Sequence, residues 1–227
     1  MGVKTSMLCE DLSFAGTEAF KRLRTNILFS FADDKQSHVI GVTSASPADG
    51  KSLTSVNLAF SLFELGRRVL LIDADMRRSS VSAKLEIRQS PGLSELLVTA
   101  NDVSGCVVHF RKSDKGAFDV LPSGNVPPNP SELLNSSRME KLLEKLPDYY
   151  DYILIDLPPV GAVADAQIVS RLADGVIIVV REGYCSREVL EDCVSQLRMA
   201  NAKILGFVLN GATEGSKKSY NSGYYYK

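Results

Sequence analysis

Short apolar runs alternate with amphipathic segments of helical length along most of this 227-residue chain. The apolar runs predict buried strands over residues 39–43, 69–73, 118–121, 152–156, 176–180 and 204–209. Apolar side chains at helical spacing predict helices over residues 17–31, 52–66, 129–146, 165–172 and from Ser186 onward. This alternation predicts an α/β fold with a doubly wound, mostly parallel sheet flanked by helices, in which residues 176–180 form a central strand. Residues 82–117 follow neither pattern, and we expect one or two short helices there.

Three predicted helices begin at residues whose side chains can cap the N-terminus of a helix. Thr17, Asn129 and Ser186 are the expected N-caps, because hydroxyl and amide side chains accept hydrogen bonds from the free N–H groups of a first helical turn. Pro130 and Glu132 follow Asn129 at the spacing of a capping box. The apolar side chains that we expect to face the core from the last helix are Val189, Cys193, Val194 and Leu197.

The overall composition excludes several functional classes. The net charge is −1, so no general polyanion-binding surface is indicated and we expect no nucleic-acid partner. No apolar run approaches the roughly 20 residues of a membrane-spanning helix, and no signal peptide is recognisable. The four cysteines lack CxxC spacing, which favours reduced thiols in a cytoplasmic protein.

The composition changes near Thr213. From there to Lys227 the residues are mainly glycine, serine, lysine and tyrosine without apolar periodicity, so we expect a mobile tail over 213–227 after one domain over 1–212. Half of the eight tyrosines lie in this tail, as Tyr220, Tyr224, Tyr225 and Tyr226. An exposed tail that bears hydroxyl groups suits a phosphoacceptor, and a terminus whose tyrosines bind a neighbour's groove is the alternative.

A phosphate-binding loop is predicted between the first strand and the next helix. Gly50-Lys51-Ser52 completes the second half of the GxxxxGK[ST] motif, although Ala45 replaces the first glycine. In such a loop, backbone N–H groups surround the phosphates, the lysine binds the outer phosphates and the hydroxyl ligates Mg²⁺. Asp49 is expected to be a structural, solvent-facing residue of this loop.

Three aspartates end predicted strands near this loop. Asp73 and Asp75 follow one apolar run and Asp156 ends another. Because the carboxyl ends of parallel strands meet at one edge of the sheet, we expect these carboxylates to lie beside the phosphates, where they can hold Mg²⁺ or accept a proton. The sequence therefore predicts a nucleotide site and leaves open which group receives the phosphate.

Several motifs together resemble one family. The DxDxR segment Ile72–Arg77, the IDxPP segment Ile155–Pro159, the segments 18–26 and 127–134, and the tyrosine-rich tail are similar to those of the bacterial tyrosine kinases (BY-kinases), the capsule and exopolysaccharide autokinases of the CpsD/CapB type. The resemblance covers essentially the whole chain. It implies a P-loop NTPase type of fold and ATP-dependent autophosphorylation in trans on the tail tyrosines.

The resemblance also implies roles for individual residues. It assigns Lys51, Asp73 and Asp75 to catalysis, with Asp73 as the base that takes the proton of the tyrosine hydroxyl. It makes ATP and Mg²⁺ the cofactors, with Mg²⁺ held by Ser52, Asp75 and Asp156. The expected nucleotide-binding residues are Ala48, Asp49, Gly50, Lys51, Ser52, Leu53 and Asn210. The expected oligomerisation residues are Glu18, Lys21 and Arg24.

The implied assembly is a ring of identical chains attached to the cell membrane. A separate membrane adaptor would supply a cytosolic activating tail and hold the kinase at the inner face of the membrane, and a cognate tyrosine phosphatase would reverse the modification. Three departures from the family pattern leave these roles in place. Lys21 replaces the middle arginine of the ExxRxxR assembly motif, Ala48 replaces a common glycine, and Leu53 replaces a common threonine.

Two other functions compete with the kinase. The first is a switch ATPase of the deviant P-loop type used in partitioning and cell division, but Ser46 occupies the position of the lysine that is typical of that class. The second is a nucleotide-gated adaptor without catalysis, which would require a missing catalytic carboxylate, and none is missing.

Overall fold

A seven-stranded sheet forms the centre of the protein, in the order β3-β4-β2-β5-β1-β6-β7. We describe a computed structural model over residues 12–31, 35–99, 102–113 and 116–212. The strands are β1 (His38–Ser44), β2 (Val69–Asp73), β3 (Val108–Ser113), β4 (Gly116–Leu121), β5 (Tyr152–Asp156), β6 (Gly175–Arg181) and β7 (Ile204–Asn210). All neighbouring pairs are parallel except β3 with β4.

Helices cover both faces of this sheet. They are α1 (Phe14–Ser30), α2 (Lys51–Phe63), α3 (Val81–Leu85), α4 (Leu93–Thr99), α5 (Val103–Cys106), α6 (Pro130–Leu134), α7 (Ser137–Lys145), α8 (Asp165–Ser170) and α9 (Arg187–Met199), with a 3₁₀ turn at Leu146–Asp148. One apolar core joins the sheet to α1, α2 and α3, and a second joins it to α4 and α6 to α9. The predicted doubly wound, mostly parallel α/β fold is therefore confirmed.

The buried strands are the best-predicted elements. β2 and β5 have the predicted bounds, and both are buried along their whole length. β6 lies between β1 and β7 and not at the middle of the sheet, yet its first residues are buried because both faces are covered: Val176 and Ile178 pack in one core and Ile177 in the other. An unbroken apolar run marks a strand with both faces covered, whatever its distance from the edge.

The first helix begins earlier than predicted. Ser13, not Thr17, is the N-cap, because the Ser13 hydroxyl accepts a hydrogen bond of 3.2 Å from the Gly16 N–H. The Thr17 N–H already bonds to the Ser13 carbonyl inside the helix at 3.0 Å. The predicted helix over 17–31 is thus a helix over Phe14–Ser30, with Ile27 buried and Phe31 buried just after its end.

The predicted helix over 129–146 is interrupted. α6 ends at Leu134, and Ser136 caps a new helix by accepting a bond from the Met139 N–H. Asn129 does not cap the backbone of α6, and its amide instead donates to Glu132 at 3.3 Å. Ser186 does cap α9 as predicted, but Val189 on that helix is 43% exposed and does not face the core.

Residues 82–117 contain more structure than predicted. Besides α3, α4 and α5 they include β3, an edge strand that pairs antiparallel with β4. The Phe110 and Phe118 rings pack across this pair, with centroids 5.3 Å apart. Since an antiparallel edge strand is only half buried, its sequence shows no continuous apolar run.

Cys106, Cys185 and Cys193 are free thiols, and Cys9 lies outside the described residues. Within the part of the chain that the structure describes, no helix is both long and apolar enough to cross a membrane.

Candidate active site

The loop between β1 and α2 is shaped for close approach to an anion. Ala48 and Gly50 have φ angles of +65° and +96°, which turn the backbone back toward the start of α2. The φ angle of Gly50 would strain any other residue, and a Cβ there would lie 2.0 Å from the Asn210 Nδ2 atom and displace that side chain. Asn210, at the end of β7, donates to the Asp49 carbonyl at 2.9 Å. Asn210 therefore supports the phosphate loop from the end of β7, which β6 separates from β1.

Asp49 is buried, which corrects the expectation that it faces solvent. Its side chain is almost inaccessible, and its Oδ2 atom accepts a hydrogen bond of 3.0 Å from the Ser46 N–H. Burial raises the pKa of Asp49, although backbone hydrogen bonds from Ser46 and Arg181 oppose the shift. The side chain thus stabilises the turn of the loop from inside.

Lys51 is the cation at the centre of the predicted site. Its Nζ atom lies 2.8 Å from Asp75 Oδ2 and 3.5 Å from Asp156 Oδ2, and it donates to the Ser52 hydroxyl at 3.3 Å. Burial alone would lower the pKa of Lys51, but the charges of Asp156 and Asp75 outweigh burial and raise it. The ammonium group is charged and is held between two carboxylates at the strand ends.

Asp73 is fully buried and organises the loop that follows β2. Its Oδ2 atom accepts hydrogen bonds from the Ser79 hydroxyl at 3.0 Å and the Val81 N–H at 3.2 Å. Its Oδ1 atom accepts from the Asp75 N–H at 3.2 Å. Burial and the nearby charge of Asp156 raise the pKa of Asp73 to about 7, against these hydrogen bonds and Lys51. A carboxylate with this pKa can take up and release a proton near neutral pH.

Asp156 has one carboxylate oxygen that accepts no hydrogen bond from the described residues. It is fully buried at the end of β5, and its Oδ1 atom accepts from the Ser55 hydroxyl at 3.1 Å. Among the described residues its Oδ2 atom finds no hydrogen-bond donor and only the more distant charge of Lys51. Burial raises the pKa of Asp156, and Lys51, Ser52 and Ser55 oppose the rise.

The oxygen atoms of this cluster suit a magnesium ion whose coordination shell is completed by substrate. Over the ranges that the structure describes there is no ready cluster of three His, Cys, Asp or Glu side chains for a metal. Mg²⁺ in phosphate-transfer sites takes one or two protein oxygens and fills the rest of its shell with water and phosphate. The Oδ2 atom of Asp156 and the adjacent Ser52 hydroxyl meet that requirement. Asp75, which is paired with Lys51, is a candidate third ligand.

Leu53 and the expected oligomerisation residues are less buried than the carboxylates of the site. Leu53 is half-buried in the first turn of α2 and offers the site no polar side-chain atom. On α1, Lys21 forms an ion pair of 2.8 Å with Glu18 of the same chain. Arg24 donates to the Ser61 carbonyl on α2 at 2.5 Å and lies 4.0 Å from Glu64. Arg24 therefore joins α1 to the helix that begins at the phosphate loop.

The predicted phosphoacceptors follow the last strand of the sheet. Tyr220, Tyr224, Tyr225 and Tyr226 lie outside the described residues. The strand that precedes them, β7, ends at Asn210, which contacts the phosphate loop.

Sequence reasoning assigned no role in the site to five residues that support it. Ser79 and Ser55 bond to Asp73 and Asp156, and nothing in their sequence context distinguishes them from other serines. Arg77 of the DxDxR segment bonds to Asp165 at the start of α8, and Ser131 of the segment 127–134 bonds to both. The two motif segments can be recognised in the sequence, but the contact of both with Asp165 cannot be predicted from it.

One protein family and several bacterial tyrosine kinases are similar to this chain over most of its length. A family described as "AAA domain" matches residues 37–205. The tyrosine-protein kinase YwqD of Bacillus subtilis is 37% identical over 92% of this chain and 86% of the relative. The tyrosine-protein kinase CpsD of Streptococcus agalactiae is 37% identical over 87% of this chain and 83% of the relative. The solved kinase domain of the Escherichia coli tyrosine kinase ETK is 36% identical, with a TM-score of 0.82 over 91% of this chain and 80% of that domain.

Proposed function

Because the chain belongs to the bacterial tyrosine kinases and is a protein-tyrosine kinase, we propose that it transfers the γ-phosphate of ATP to its own tail tyrosines in trans. The proposed acceptors are Tyr220, Tyr224, Tyr225 and Tyr226. The observation that carries the proposal is the cluster beside the phosphate loop, where one charged lysine pairs with the buried carboxylates of Asp75 and Asp156 and the buried carboxylate of Asp73 ends the adjacent strand.

The cluster supports a division of labour among its members. Lys51 and the backbone of residues 48–53 neutralise and hold the phosphates, with Asn210 bracing the loop. A tyrosine hydroxyl has a pKa near 10, so its attack at neutral pH benefits from a carboxylate that accepts its proton. Asp73, with its pKa raised to about 7, suits that role. Mg²⁺, held by Ser52, Asp75 and Asp156, would neutralise the charge that develops on the phosphate oxygens.

The wider setting of the kinase belongs to the same proposal. A ring of identical chains places one chain's tail at the next chain's site, and a membrane adaptor with a cytosolic activating tail holds the ring at the inner face of the membrane. A cognate tyrosine phosphatase resets the tail. The proposed output is control of capsular or exopolysaccharide synthesis or export.

Transfer between chains is tested by separating catalyst from acceptor. Lys51→Met protein with an intact tail is the acceptor, and a variant with phenylalanine at all four tail tyrosines is the catalyst. After mixing with ATP and Mg²⁺, we expect mass spectrometry to find phosphate on the tail of the Lys51→Met chain. An Asp73→Asn acceptor is the matched control for any local effect of losing Lys51. If neither acceptor is modified while the wild-type protein is, transfer occurs within one chain.

The assembly proposal predicts a change in mass. Glu18→Ala combined with Arg24→Ala should convert the ring of dephosphorylated protein to monomers in light scattering. Since Arg24 also bonds to Ser61, Glu18→Ala alone separates loss of the interface from loss of the α1–α2 contact. Arg22→Ala, an exposed charge on the same helix, is the control that should keep the ring. An unchanged mass for the double variant would assign these residues to an ordinary surface.

Phosphorylation is proposed to loosen the same ring. Before modification the tail carries the positive charges of Lys217, Lys218 and Lys227. Each phosphate adds about −1.5 to −2 charges to the tail. Several such charges would be repelled by a neighbour's site, which contains acidic side chains and nucleotide phosphates.

A further inference from the structure

Asp165 is a buried carboxylate outside the cluster around Lys51. It is the first residue of α8 and has no solvent exposure. Burying an ionised carboxylate is costly unless charged and hydrogen-bonding partners surround it. Its partners are the Arg77 guanidinium, whose Nε atom donates to Oδ2 at 2.9 Å and whose Nη2 atom approaches Oδ1 at 3.4 Å, and the Ser131 hydroxyl, which donates to Oδ1 at 2.5 Å.

The three side chains close into a triangle that joins three elements. Arg77 Nη2 also donates to the Ser131 hydroxyl at 3.0 Å, so each member contacts the other two. Arg77 belongs to the loop between β2 and α3, Ser131 to α6, and Asp165 to α8. A forked arginine–carboxylate contact fixes both distance and orientation, unlike a single point contact.

The loop that Arg77 belongs to begins just after Asp73, the last residue of β2, and carries Asp75. Asp73 bonds to Ser79 in this loop and to Val81 at the start of α3, and Asp75 bonds to the Arg78 N–H at 3.0 Å while it pairs with Lys51. These contacts fix the shape of the loop and join it to Lys51, and the Ala74 N–H bonds to the Asp156 carbonyl at 2.9 Å, but none of them reaches α6 or α8. Arg77 makes that connection, to elements that follow the β4 and β5 strand ends.

We propose that Asp165 is a positioning residue for phosphoryl transfer: through Arg77, and with Ser131, it holds the loop that follows Asp73 and carries Asp75 at its working distance from Lys51 and Asp156. The proposal rests on the proposed kinase function of the site. A displacement of about 1 Å in reacting groups costs on the order of 10²-fold in rate, so a fixed loop matters more for transfer than for nucleotide binding. ATP affinity depends mainly on the phosphate loop, which this triangle does not touch.

The test measures rate and nucleotide affinity separately on the full-length protein. Asp165→Asn keeps the size of the side chain but removes the charge that orients Arg77. We expect the turnover rate for tyrosine phosphorylation to fall about 10- to 100-fold, with the ATP dissociation constant changed less than about twofold. Asp151→Asn is the control, because Asp151 also pairs with an arginine but does so at the amino ends of β2 and β5, where the Arg68 Nε and Nη2 atoms both donate to Asp151 Oδ1, at 3.0 and 2.7 Å. That control should keep the wild-type rate.

Two milder variants keep the test decisive if Asp165→Asn does not fold. Arg77→Lys retains charge but cannot form the fork, and Ser131→Ala removes one hydroxyl, while Ser131→Thr restores it. Lower turnover at unchanged ATP affinity in Arg77→Lys and Ser131→Ala, with recovery in Ser131→Thr, supports positioning. Wild-type turnover in Arg77→Lys and Ser131→Ala, or equal losses of rate and affinity, would overturn it.

A tyrosine-containing acceptor polymer distinguishes this proposal from the tail proposal. If the wild-type protein modifies the polymer but not its own tail, the proposed autophosphorylation is wrong. The ratio of variant to wild-type turnover on the polymer still tests the role of Asp165.

Discussion

Replacing Lys51 with methionine is expected to reduce tail phosphotyrosine by at least about 10²- to 10³-fold, the usual effect of removing one preorganised charge from a transition state. Lys51 is the cation that pairs with the site carboxylates, and its Nζ atom lies next to the Ser52 hydroxyl at the start of α2. In phosphoryl transfer most of the catalysis is charge stabilisation and positioning, so methionine removes the group that neutralises the outer phosphates. Phosphotyrosine formation at saturating ATP measures the loss.

The structure adds a second expectation for this variant. Without Lys51, Asp75 and Asp156 remain as buried carboxylates with no cation between them. Breaking a buried ion pair on one side costs about 3–5 kcal/mol unless the remaining group takes up a proton. We therefore expect Lys51→Met to remain folded with a lower melting temperature, measured by calorimetry at pH 7.

A double variant separates this stability effect from catalysis. Lys51→Met combined with Asp75→Asn removes one of the two uncompensated charges, so the melting temperature should recover toward the wild-type value. Tyrosine phosphorylation should stay absent, because the phosphate ligand is still missing. Autophosphorylation near the wild-type rate in Lys51→Met would exclude this lysine as that ligand.

The strands and their carboxylates could be predicted because each depends on local sequence. β2 and β5 are apolar runs that end in aspartate, and parallel strands necessarily bring such ends to one edge of the sheet. The meeting of Asp73, Asp75 and Asp156 with Lys51 follows from that rule and from the adjacent phosphate loop. The identities of the pairs, Lys51 with Asp75 above all, depend on side-chain rotamers that the sequence does not specify.

The predictions that the structure corrects lie where the local sequence allows more than one structure. Ser13 and Thr17 are both able to cap α1, and the longer helix adds a turn of backbone hydrogen bonds. The break before Ser136 reflects a second capping side chain inside an otherwise helical pattern. Asp49 is polar and lies in a loop, yet the turn closes around its carboxylate and buries it. Asp165 is significant only through partners 34 and 88 positions away in the sequence, which no local pattern contains.

Replacing Asp73 with asparagine is expected to produce a protein that binds ATP, is more stable than the wild type without nucleotide, and transfers phosphate about 10²- to 10⁴-fold more slowly. The slow transfer follows if Asp73 takes the proton of the tyrosine hydroxyl, since an asparagine amide cannot. ATP binding should persist because the phosphate loop, Lys51 and Asp156 are unchanged. Equilibrium binding of ATP and the rate of phosphotyrosine formation are the two measurements.

The stability gain follows from the raised pKa of Asp73. Its pKa is about 7 in the folded protein, against 3.8 for an unperturbed aspartate, so the folded state favours the protonated form. The unfolded chain therefore ionises first, and the wild-type protein loses stability as pH rises from about 4 through 7. Asparagine stays neutral, so the melting temperature of Asp73→Asn should exceed that of the wild type at pH 8, measured in chelator without nucleotide. At pH 4 both side chains are neutral in the folded state, so Asp73→Asn should lose its advantage and melt no higher than the wild type.

Asp75→Asn is the contrasting variant for this last prediction. Asp75 pairs with Lys51 at 2.8 Å, so its loss removes a favourable partner of a buried cation and a proposed magnesium ligand. We expect Asp75→Asn to lower stability and to require more Mg²⁺ for the same rate, whereas Asp73→Asn should show a low rate at every Mg²⁺ concentration. If Asp73→Asn instead loses ATP binding and transfer in equal measure, Asp73 acts as a metal ligand, and the proposed assignment of the base to Asp73 and of the metal to Asp75 is wrong.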